Sequence, residues 1–535
     1  MPSEPIEAEF VHPPALSEKQ EEQLRQLERE GPDSQQTTVL DIEGAHPEAL
    51  IVTFEKGAGE DPREWPKAKK WYVTLVAAFL CLAAAIGSSL VTGDLLGPVE
   101  DLNTTQEIVN LTVTCFVIGF GIGYVIPPLF FAPLSEVVGR TPMYCVSMLF
   151  FFIFTLPSAL AKNAATLVIG RQIAGLAASA PVCNVGGTVA DVWAVEDRGV
   201  PMAVFSFTLF MGPCVGPLIG GFIAERAGWR WLYWVLFIFS GLCFFLTLFM
   251  PETIAPVLLK RKAERLRKET GDERYKTAQE LERVPFTQAL KIALLRPIIM
   301  LFTEPIVIFF SFYLSFIYSL LYLMFFAFPI AFAEIRGFSM GMTGVTFISI
   351  MLGIAGAMLV IPYQERLYAK VTRYGIYPEA RLYPMMVGSI TMPISLFIFA
   401  FTGAYASVHW IGPCIAGVVF GFSMLLIYIS ANSYIVDSYS AYAASAMAAK
   451  TFLRSEVGAS VPLFVNQMFH HMGFQYAGLL LALIGVAIAP ISFIFFKYGE
   501  RIRRGSAKAT QAVRRTSPVD EEGKAWDASD IEKKR

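Results

Sequence analysis

Twelve long apolar stretches divide the sequence, and the short polar connections between them carry Lys and Arg mainly on alternate sides. A helix needs about 20 apolar residues to cross the hydrocarbon layer, and each stretch is long enough. Lipid leaves backbone groups to be satisfied internally, so we expect an all-α membrane protein of twelve transmembrane helices in two six-helix bundles. The expected spans are 71–93, 109–131, 142–162, 165–188, 200–223, 231–250, 298–328, 341–363, 383–403, 410–434, 442–468 and 475–497.

Composition supports this interpretation and excludes other classes. Of 535 residues, 54% are hydrophobic and only 16% are charged, with a mean hydropathy of +0.51, which is too much apolar surface for a soluble chain. A net charge of −2 gives no electrostatic argument for nucleic acid. The seven cysteines lie inside apolar segments, which is typical of core residues. We expect no cofactor and no metal.

Polar segments separate the two expected bundles and flank them. The 251–296 segment contains a run of basic residues and is too polar to insert. The ends of the chain have too few apolar residues to build a core. The expected units are a disordered cytosolic tail (1–66), a first bundle (67–250), a charged cytosolic linker (251–296), a second bundle (297–498) and a disordered cytosolic tail (499–535).

The loop charges predict the orientation of the chain. Basic residues precede span one and follow spans two, four, six, eight and twelve, and the positive-inside rule places these connections in the cytosol. Both termini are therefore expected on the cytosolic side. The Asn103-Thr104-Thr105 sequon falls in an outer loop, where Asn103 is a candidate for glycosylation, although such triplets also occur by chance.

Two turns on the expected cytosolic side carry opposite charges. Glu136, Gly139 and Arg140 follow span two, and Asp191 and Arg198 lie at the end of span four. Such residues can bind helix ends and each other, so they could latch the cytosolic side of a two-bundle transporter. Asp191 is positioned to pair with Arg140. The alternative is a pair of ordinary interfacial turns.

Span five repeats small residues along one helical face. Gly at every fourth position permits close backbone approach, and two prolines four residues apart each remove an internal hydrogen bond. This pattern predicts a packed hinge, and tight packing alone is the plainer interpretation. The residues are Gly212, Pro213, Gly216, Pro217, Gly220 and Gly221.

Over about residues 65–500 the sequence resembles the major facilitator superfamily, in its twelve-span fungal drug:proton antiporter branch, which includes polyamine and metabolite exporters. The resemblance implies the major facilitator fold and export driven by proton entry. Three departures affect the turn after span two, where the family usually has Gly, Asp and Arg: Ala132, Glu136 and Val137. The matching motifs are Gly87-Ser88-Ser89, Thr92-Gly93-Asp94, 132–142, Arg171 to Gly175, Ser179-Ala180-Pro181, Gly186-Gly187, 212–221, Gly228-Trp229-Arg230-Trp231, Pro251-Glu252-Thr253, Pro378-Glu379-Ala380-Arg381-Leu382 and Arg454-Ser455.

Charged residues inside spans are functional candidates, because a charge in lipid is costly unless it faces a cavity or a partner. In span seven, Glu304, Ser311, Ser315, Tyr318 and Tyr322 return to nearly the same helix azimuth, which predicts one polar stripe facing inward. The alternative is that Glu304, near the cytosolic end, only reaches to the interface.

Span eleven carries three more charges. Lys450 and Arg454 lie four residues apart on one face, so we expect them near the cavity or paired with Glu304, and Glu456 points to nearly the opposite side. The resemblance implies that an amide and an apolar residue are usual at the positions of Lys450 and Glu456, which makes these two peculiar to this chain. We add Asn432 of span ten to the expected substrate cavity, together with Lys450 and the Ser and Tyr residues of the stripe.

Proton coupling is assigned to four residues: Asp94, Arg171, Glu304 and Arg454. Asp94 lies at the outer end of span one and Arg171 about two turns inside span four, so the two could reach one another. A carboxylate that gains and loses a cationic partner as the bundles rock changes its pKa, as coupling requires. A static pair, with Asp94 merely a loop acid, is the alternative.

These observations predict a proton-coupled exporter of small organic molecules that works as a monomer by alternating access, in the plasma membrane or an internal membrane such as the vacuole. Asp94 and Glu304 are expected to face three basic residues, so the cavity has no excess of acids, and a neutral, amphipathic or anionic substrate is favoured over a polycation. A polyamine:proton antiporter and a non-transporting membrane sensor are alternatives. An enzyme is disfavoured, since no nucleophile with a base and no phosphate loop occurs, and His470-His471 is interpreted as a solvated pair rather than a metal site.

Overall fold

The computed structural model describes residues 50–55, 57, 59–194, 197–277, 280, 286–371, 377–439, 442–506 and 508–509. Within these ranges the side chains at 124–138, 286–294, 369 and 371 are not described. Most of both expected tails, and the side chain of Glu136, therefore lie outside the described part of the chain.

The first bundle consists of six long helices that follow one another through short turns. Asn163 begins one of them, where its side chain accepts a hydrogen bond of 2.8 Å from the Thr166 N–H, the usual N-cap arrangement. The helices are α1 (Lys67–Ser89, continued by a 3-10 turn, Leu90–Gly93), α2 (Gln106–Val138), α3 (Arg140–Ala159), α4 (Ala164–Val192), α5 (Gly199–Ala227) and α6 (Trp229–Leu248).

The second bundle repeats this plan with two interrupted helices. Gly473 joins α11 to α12 with a φ of +82°, and Gly228 joins α5 to α6 with a φ of +83°, so equivalent turns of the two bundles both use the left-handed region that glycine tolerates. The helices are α7 (Pro305–Pro329), α8 (Met340–Thr346 and Ile348–Val371), α9 (Tyr383–Gly403), α10 (Ile411–Ser438), α11 (Ala443–Met472) and α12 (Phe474–Ile488 and Pro490–Arg504).

Eleven of these helices, within the described residues, are long and apolar enough to cross a membrane. The expected span eleven is present as α11, but Lys450, Arg454 and Glu456 make it too polar to count among the eleven. Its charged residues are accommodated because other helices surround it, as lipid-embedded charges require. The predicted all-α membrane fold is thus confirmed.

The seventh span differs from its prediction. Instead of one helix over 298–328, the chain forms the helix Phe286–Thr303, here called the entry helix, and then α7, with Glu304 extended between them at φ −99° and ψ 109°. Pro305 explains the break, because a proline disfavours the helical conformation in the residue before it and itself suits the first position of a helix.

The segments outside the bundles meet on one face. The linker contains a helix, Ala255–Thr270, and a strand, β2 (Tyr275–Lys276), which pairs in parallel with β1 (Leu50–Ile51) ahead of α1. Lys262 in the linker helix lies 2.7 Å from Glu60. Residues 50–55, 57, 59–66 and 499–506 lie in the segments expected to be disordered, but the structure describes them, and Ser506 contacts Glu304 at the start of α7.

The two bundles touch along α2 and α11 and along α5 and α8. The Asn110 side chain donates a hydrogen bond of 3.0 Å to the Pro462 carbonyl, and the Gly341 N–H donates one of 2.7 Å to Glu225. Both contacts lie toward the expected outer ends of their helices. The bundles are therefore held together on the side opposite the linker.

Candidate transport pathway

A small cavity lies where the two bundles meet. It is lined by residues of α1, α2 and α5 from the first bundle and of α7 and α11 from the second, and Arg454 is its charged group. Its volume of about 20 Å³ leaves room for roughly one water molecule. In this conformation the cavity itself is too small for an organic substrate.

The polar stripe of α7 lies inside the protein. Ser311, Ser315 and Tyr322 are buried, and Tyr318 and Tyr322 both line the central cavity. The two tyrosine hydroxyls are 3.3 Å apart, and the Ser315 hydroxyl donates to the Ser311 carbonyl at 2.6 Å. The part of the stripe that faces inward therefore extends from Ser311 to Tyr322, toward the outer side of the membrane.

Glu304 is buried but lies apart from the cavity cations. Its carboxylate accepts hydrogen bonds from the Tyr439 hydroxyl at 3.0 Å and from the Ser506 hydroxyl at 2.5 Å. The expected pairing of Glu304 with Lys450 or Arg454 is therefore wrong for this conformation. The break before Pro305 holds Glu304 at the end of the bundle, against the residues that follow α10 and α12.

The basic face of α11 binds neutral partners. Lys450 donates to the Asn432 side-chain oxygen at 2.7 Å, and Arg454 donates to the Tyr428 hydroxyl. Their side chains are 1% and 3% exposed. Glu456 lies on the other side of α11, where its carboxylate fills the space that Gly121 of α2 leaves free. One of its oxygens is buried without a hydrogen-bond partner among the described residues.

Arg171 is buried in the first bundle without a carboxylate beside it. Its Nε donates to the Thr112 carbonyl at 3.1 Å, its guanidinium carbon lies 4.1 Å from the Phe116 ring centroid, and its two terminal nitrogens lack partners within the described structure. The expected contact with Asp94 is not formed. Asp94 instead accepts the backbone N–H groups of Leu96 and Gly97, a local turn that satisfies a short acidic side chain.

On the expected cytosolic side, Arg140 contacts α4 at two points. Its Nε lies 3.2 Å from Asp191, and one terminal nitrogen lies 3.3 Å from the Asn184 side-chain oxygen. Arg198 does not join this cluster; it donates instead to the Ala190 and Trp193 carbonyls at the end of α4, where a cation complements the helix dipole.

Glu252, which the sequence interpretation passed over, completes this junction. Its carboxylate accepts the Arg140 and Thr141 N–H groups at 2.9 and 3.2 Å and so caps the start of α3. Gly139 has a φ of +117°, and a Cβ there would overlap Glu252. The sequence signal for this contact is the Pro251-Glu252-Thr253 motif directly after α6.

The second bundle has an equivalent junction that sequence reasoning also missed. Arg381, ahead of α9, lies 3.0 Å from Asp437 at the end of α10 and 2.6 Å from Glu365 in α8. Glu379 lies 2.8 Å from Arg503 at the end of α12. The signal for these pairs was the position of Pro378-Glu379-Ala380-Arg381, which mirrors the turn before α3.

The Gly-Pro repeat brings α5 against two neighbours. Side chains at Gly212, Gly216 or Gly220 would overlap α1, whereas one at Gly221 would overlap the Met340 carbonyl at the start of α8. The prolines of the repeat, Pro213 and Pro217, are buried in the same helix. The repeat therefore packs within its own bundle and against the other bundle.

A larger cavity of about 280 Å³ opens between the bundles on the outer side. Asp94, Glu334 and His470 are among its polar residues, and His470 Nε2 lies 3.0 Å from the Glu334 carboxylate. Asn103 is exposed in the nearby loop after α1, with a φ of +46°. Within the described residues, no cluster of three or more metal-ligating side chains occurs.

Comparison with known proteins identifies the family to which this architecture belongs. The model of the Major Facilitator Superfamily matches residues 75–462. The chain is 46% identical to the MFS-type transporter paaT of Penicillium rubens over 85% of this chain and 83% of that protein. It is 38% identical to the MFS-type efflux pump MFS2 of Trichophyton rubrum, over 88% and 79%.

A solved structure agrees at the level of the fold. The proton:xylose symporter XylE superposes with a TM-score of 0.58 over 81% of this chain and 96% of its own, at 16% sequence identity. This chain therefore aligns with transporters over most of its length. The same chain contains the twelve helices, the junctions around Arg140 and Arg381, and the Gly-Pro helix. The chain belongs to the Major Facilitator Superfamily, in a branch with fungal efflux transporters, and is a multi-pass membrane transporter rather than an enzyme.

Proposed function

We propose that this protein is a proton-coupled exporter of small organic molecules, acting as a monomer by alternating access, with the plasma membrane as its location. The observation that carries the proposal is the buried, uncompensated charge at the meeting point of the bundles. Arg171 and Arg454 each have a nitrogen without a partner among the described residues. An unpaired buried charge costs several kcal/mol, so such groups are retained where a substrate or proton changes their surroundings.

The packing of α5 supports movement of one bundle against the other. The helix touches α1 through its glycines and α8 through Gly221, so it belongs to one bundle and closes the outer contact with the other. Two buried prolines interrupt its hydrogen bonding. A helix of this kind can bend while its neighbours keep their packing, which suits an outer gate that opens to release a substrate.

The coupling group on the cytosolic side is Glu304. Its buried carboxylate is held by two hydroxyl groups that come from the residues after α10 and α12. When the cytosolic ends of the helices separate, these two donors withdraw and leave the carboxylate accessible to water. In the first bundle, the terminal nitrogens of Arg171 bind a substrate or a carboxylate in another conformation of the transport cycle.

The test begins with secreted metabolites compared between strains with and without the gene, followed by uptake of an identified compound into inside-out vesicles. An imposed proton gradient should drive uptake, and nigericin should abolish it. Glu304→Gln and Arg171→Ala should each lower gradient-driven uptake at least about tenfold, whereas Lys497→Gln, at an exposed position of α12, should leave it unchanged. Unchanged uptake in both variants would refute the assigned residues, and uptake that ignores nigericin would refute proton coupling.

A further inference from the structure

The central site has an uneven charge balance. Arg171, Lys450 and Arg454 are each 3% exposed or less, and their polar partners are the Thr112 carbonyl, the Asn432 amide and the Tyr428 hydroxyl. No ion pair found among the described residues joins any of the three to a carboxylate. Three buried basic side chains near the junction of the bundles therefore have only neutral hydrogen-bond acceptors as partners among the described residues.

The neighbouring acids are committed elsewhere. Glu304 accepts the Tyr439 and Ser506 hydroxyls at the end of α7, and Asp94 accepts backbone N–H groups in an outer turn. Glu456 faces Gly121 in α2, on the side of α11 away from Lys450 and Arg454. None of these carboxylates pairs with the basic residues near the cavity, so the expectation that Asp94 and Glu304 face those residues does not hold in this conformation.

The walls around these cations are aromatic. The Arg454 guanidinium carbon lies 4.1 Å from the Tyr318 ring centroid and 5.3 Å from that of Tyr428, and Lys450 Nζ lies 5.0 Å from the Tyr428 ring. Phe210, from the first bundle, packs edge-on against Tyr428 with 4.7 Å between the ring centroids, and Phe120 belongs to the same wall. Such a surface suits a flat apolar body that carries one charged group.

We infer that the substrate of the proposed export is an organic anion, a carboxylate on a flat apolar body, whose charged group lies between Lys450 and Arg454. The two cations are one helical turn apart on the same face of α11. A carboxylate there would supply the missing negative charge, and Asn432 and Tyr428 would keep both cations in place before it binds. A polyamine would add positive charge to a site that already holds three.

The test measures binding by the purified full-length protein in nanodiscs. Its three probes share a naphthalene ring and carry an anionic, a neutral and a cationic group: 1-naphthoate, 1-naphthalenemethanol and 1-naphthylmethylammonium. Naphthoate should bind at least about tenfold more tightly than either of the others, equal to about 1.4 kcal/mol or more. Lys450→Met and Arg454→Gln should each remove most of this preference. Lys450→Arg keeps the charge and should retain it, and Lys497→Met should bind as the unmodified protein does.

The outcomes separate this inference from the proposed function on which it rests. Equal binding of the three probes, or tighter binding of naphthylmethylammonium or spermidine, overturns the anion assignment even if vesicles export a neutral compound. A clear naphthoate preference without gradient-driven flux supports the anion site and refutes proton-coupled export. If a variant fails to fold, the probe series on the unmodified protein still decides the sign of the preferred charge.

Discussion

The cytosolic junctions of the two bundles join equivalent helices, the third with the sixth and the ninth with the twelfth, through different chemistry. In the first bundle the acid, Glu252, follows the last helix and binds backbone N–H groups at the start of α3. In the second bundle the acid, Glu379, precedes α9 and binds the guanidinium of Arg503 at the end of α12. One junction is thus a helix cap and the other is a buried ion pair.

The difference indicates which junction opens more readily. A carboxylate at a helix N-terminus contributes about 0.3–2 kcal/mol, and water can replace it when the junction separates. Breaking a buried ion pair leaves a charge without a partner and costs about 3–5 kcal/mol when one member is removed. We therefore expect the second junction to stabilise the fold and the first to be the one that yields during the transport cycle.

The largest effect is expected for Arg503→Ala. Arg503 is 3% exposed and binds Glu379 through several hydrogen bonds, so its loss should destabilise the protein by about 3 kcal/mol. Arg504→Ala is the matched control, because the Arg504 side chain is 76% exposed and its ion pair within the described residues is with Glu500 one turn away. Its effect should stay below about 1 kcal/mol. Unfolding in mixed detergent measures both, and equal losses would remove the contrast between the junctions.

An intermediate effect is expected for Gly139→Ala. The residue has a φ of +117°, and a Cβ would overlap Glu252, so the change should cost about 1–3 kcal/mol and displace the cap of α3. Gly228→Ala provides the comparison, since Gly228 also has a positive φ but faces open space. The difference between their unfolding free energies isolates the overlap from the backbone strain. A Gly228 variant as damaging as the Gly139 variant would contradict the role given to Glu252.

The smallest effect on stability is expected for Glu252→Gln. The amide keeps one oxygen to accept the N–H groups of α3 but loses the negative charge, so about 1 kcal/mol or less should be lost. Glu379→Gln should cost more, because Arg503 then loses its charged partner. Thermal unfolding of the two variants side by side gives the comparison, and a larger loss for Glu252→Gln would reverse the proposed order of the junctions.

Much of the fold could be predicted because lipid imposes one strong rule on apolar stretches. The positions of the helices follow from it, and even α11 was found despite three charges in its middle. The division before α7 was missed because hydropathy does not register how Pro305 constrains Glu304. Hydropathy also does not predict that residues 286–296 of the expected linker are helical, because a helix there does not need an apolar span.

The pairing of charges was predicted less well. Helical periodicity placed Arg171, Lys450 and Arg454 inside the bundles, and burial agrees with that placement. Asp94 and Glu304 were expected to join them, but other donors satisfy both acids. Asp94 accepts backbone N–H groups of its own turn, and Glu304 accepts hydroxyls from residues far along the chain. Sequence spacing gives the azimuth of a side chain but does not say which nearer partner competes for it.

The pairing of β1 with β2 affects how the halves of the molecule are tethered. Leu50 and Val52 donate to the carbonyls of Arg274 and Lys276, and Lys262 binds Glu60, so the first part of the linker is fastened to the segment that enters α1. The fastened part of the linker reaches at least to Glu280, whose carboxylate lies 2.5 Å from Arg267 in the linker helix. A spectroscopic reporter inserted near Gly271 should therefore move with the amino-terminal half. A reporter placed on the entry helix should instead report the movement of the carboxy-terminal half.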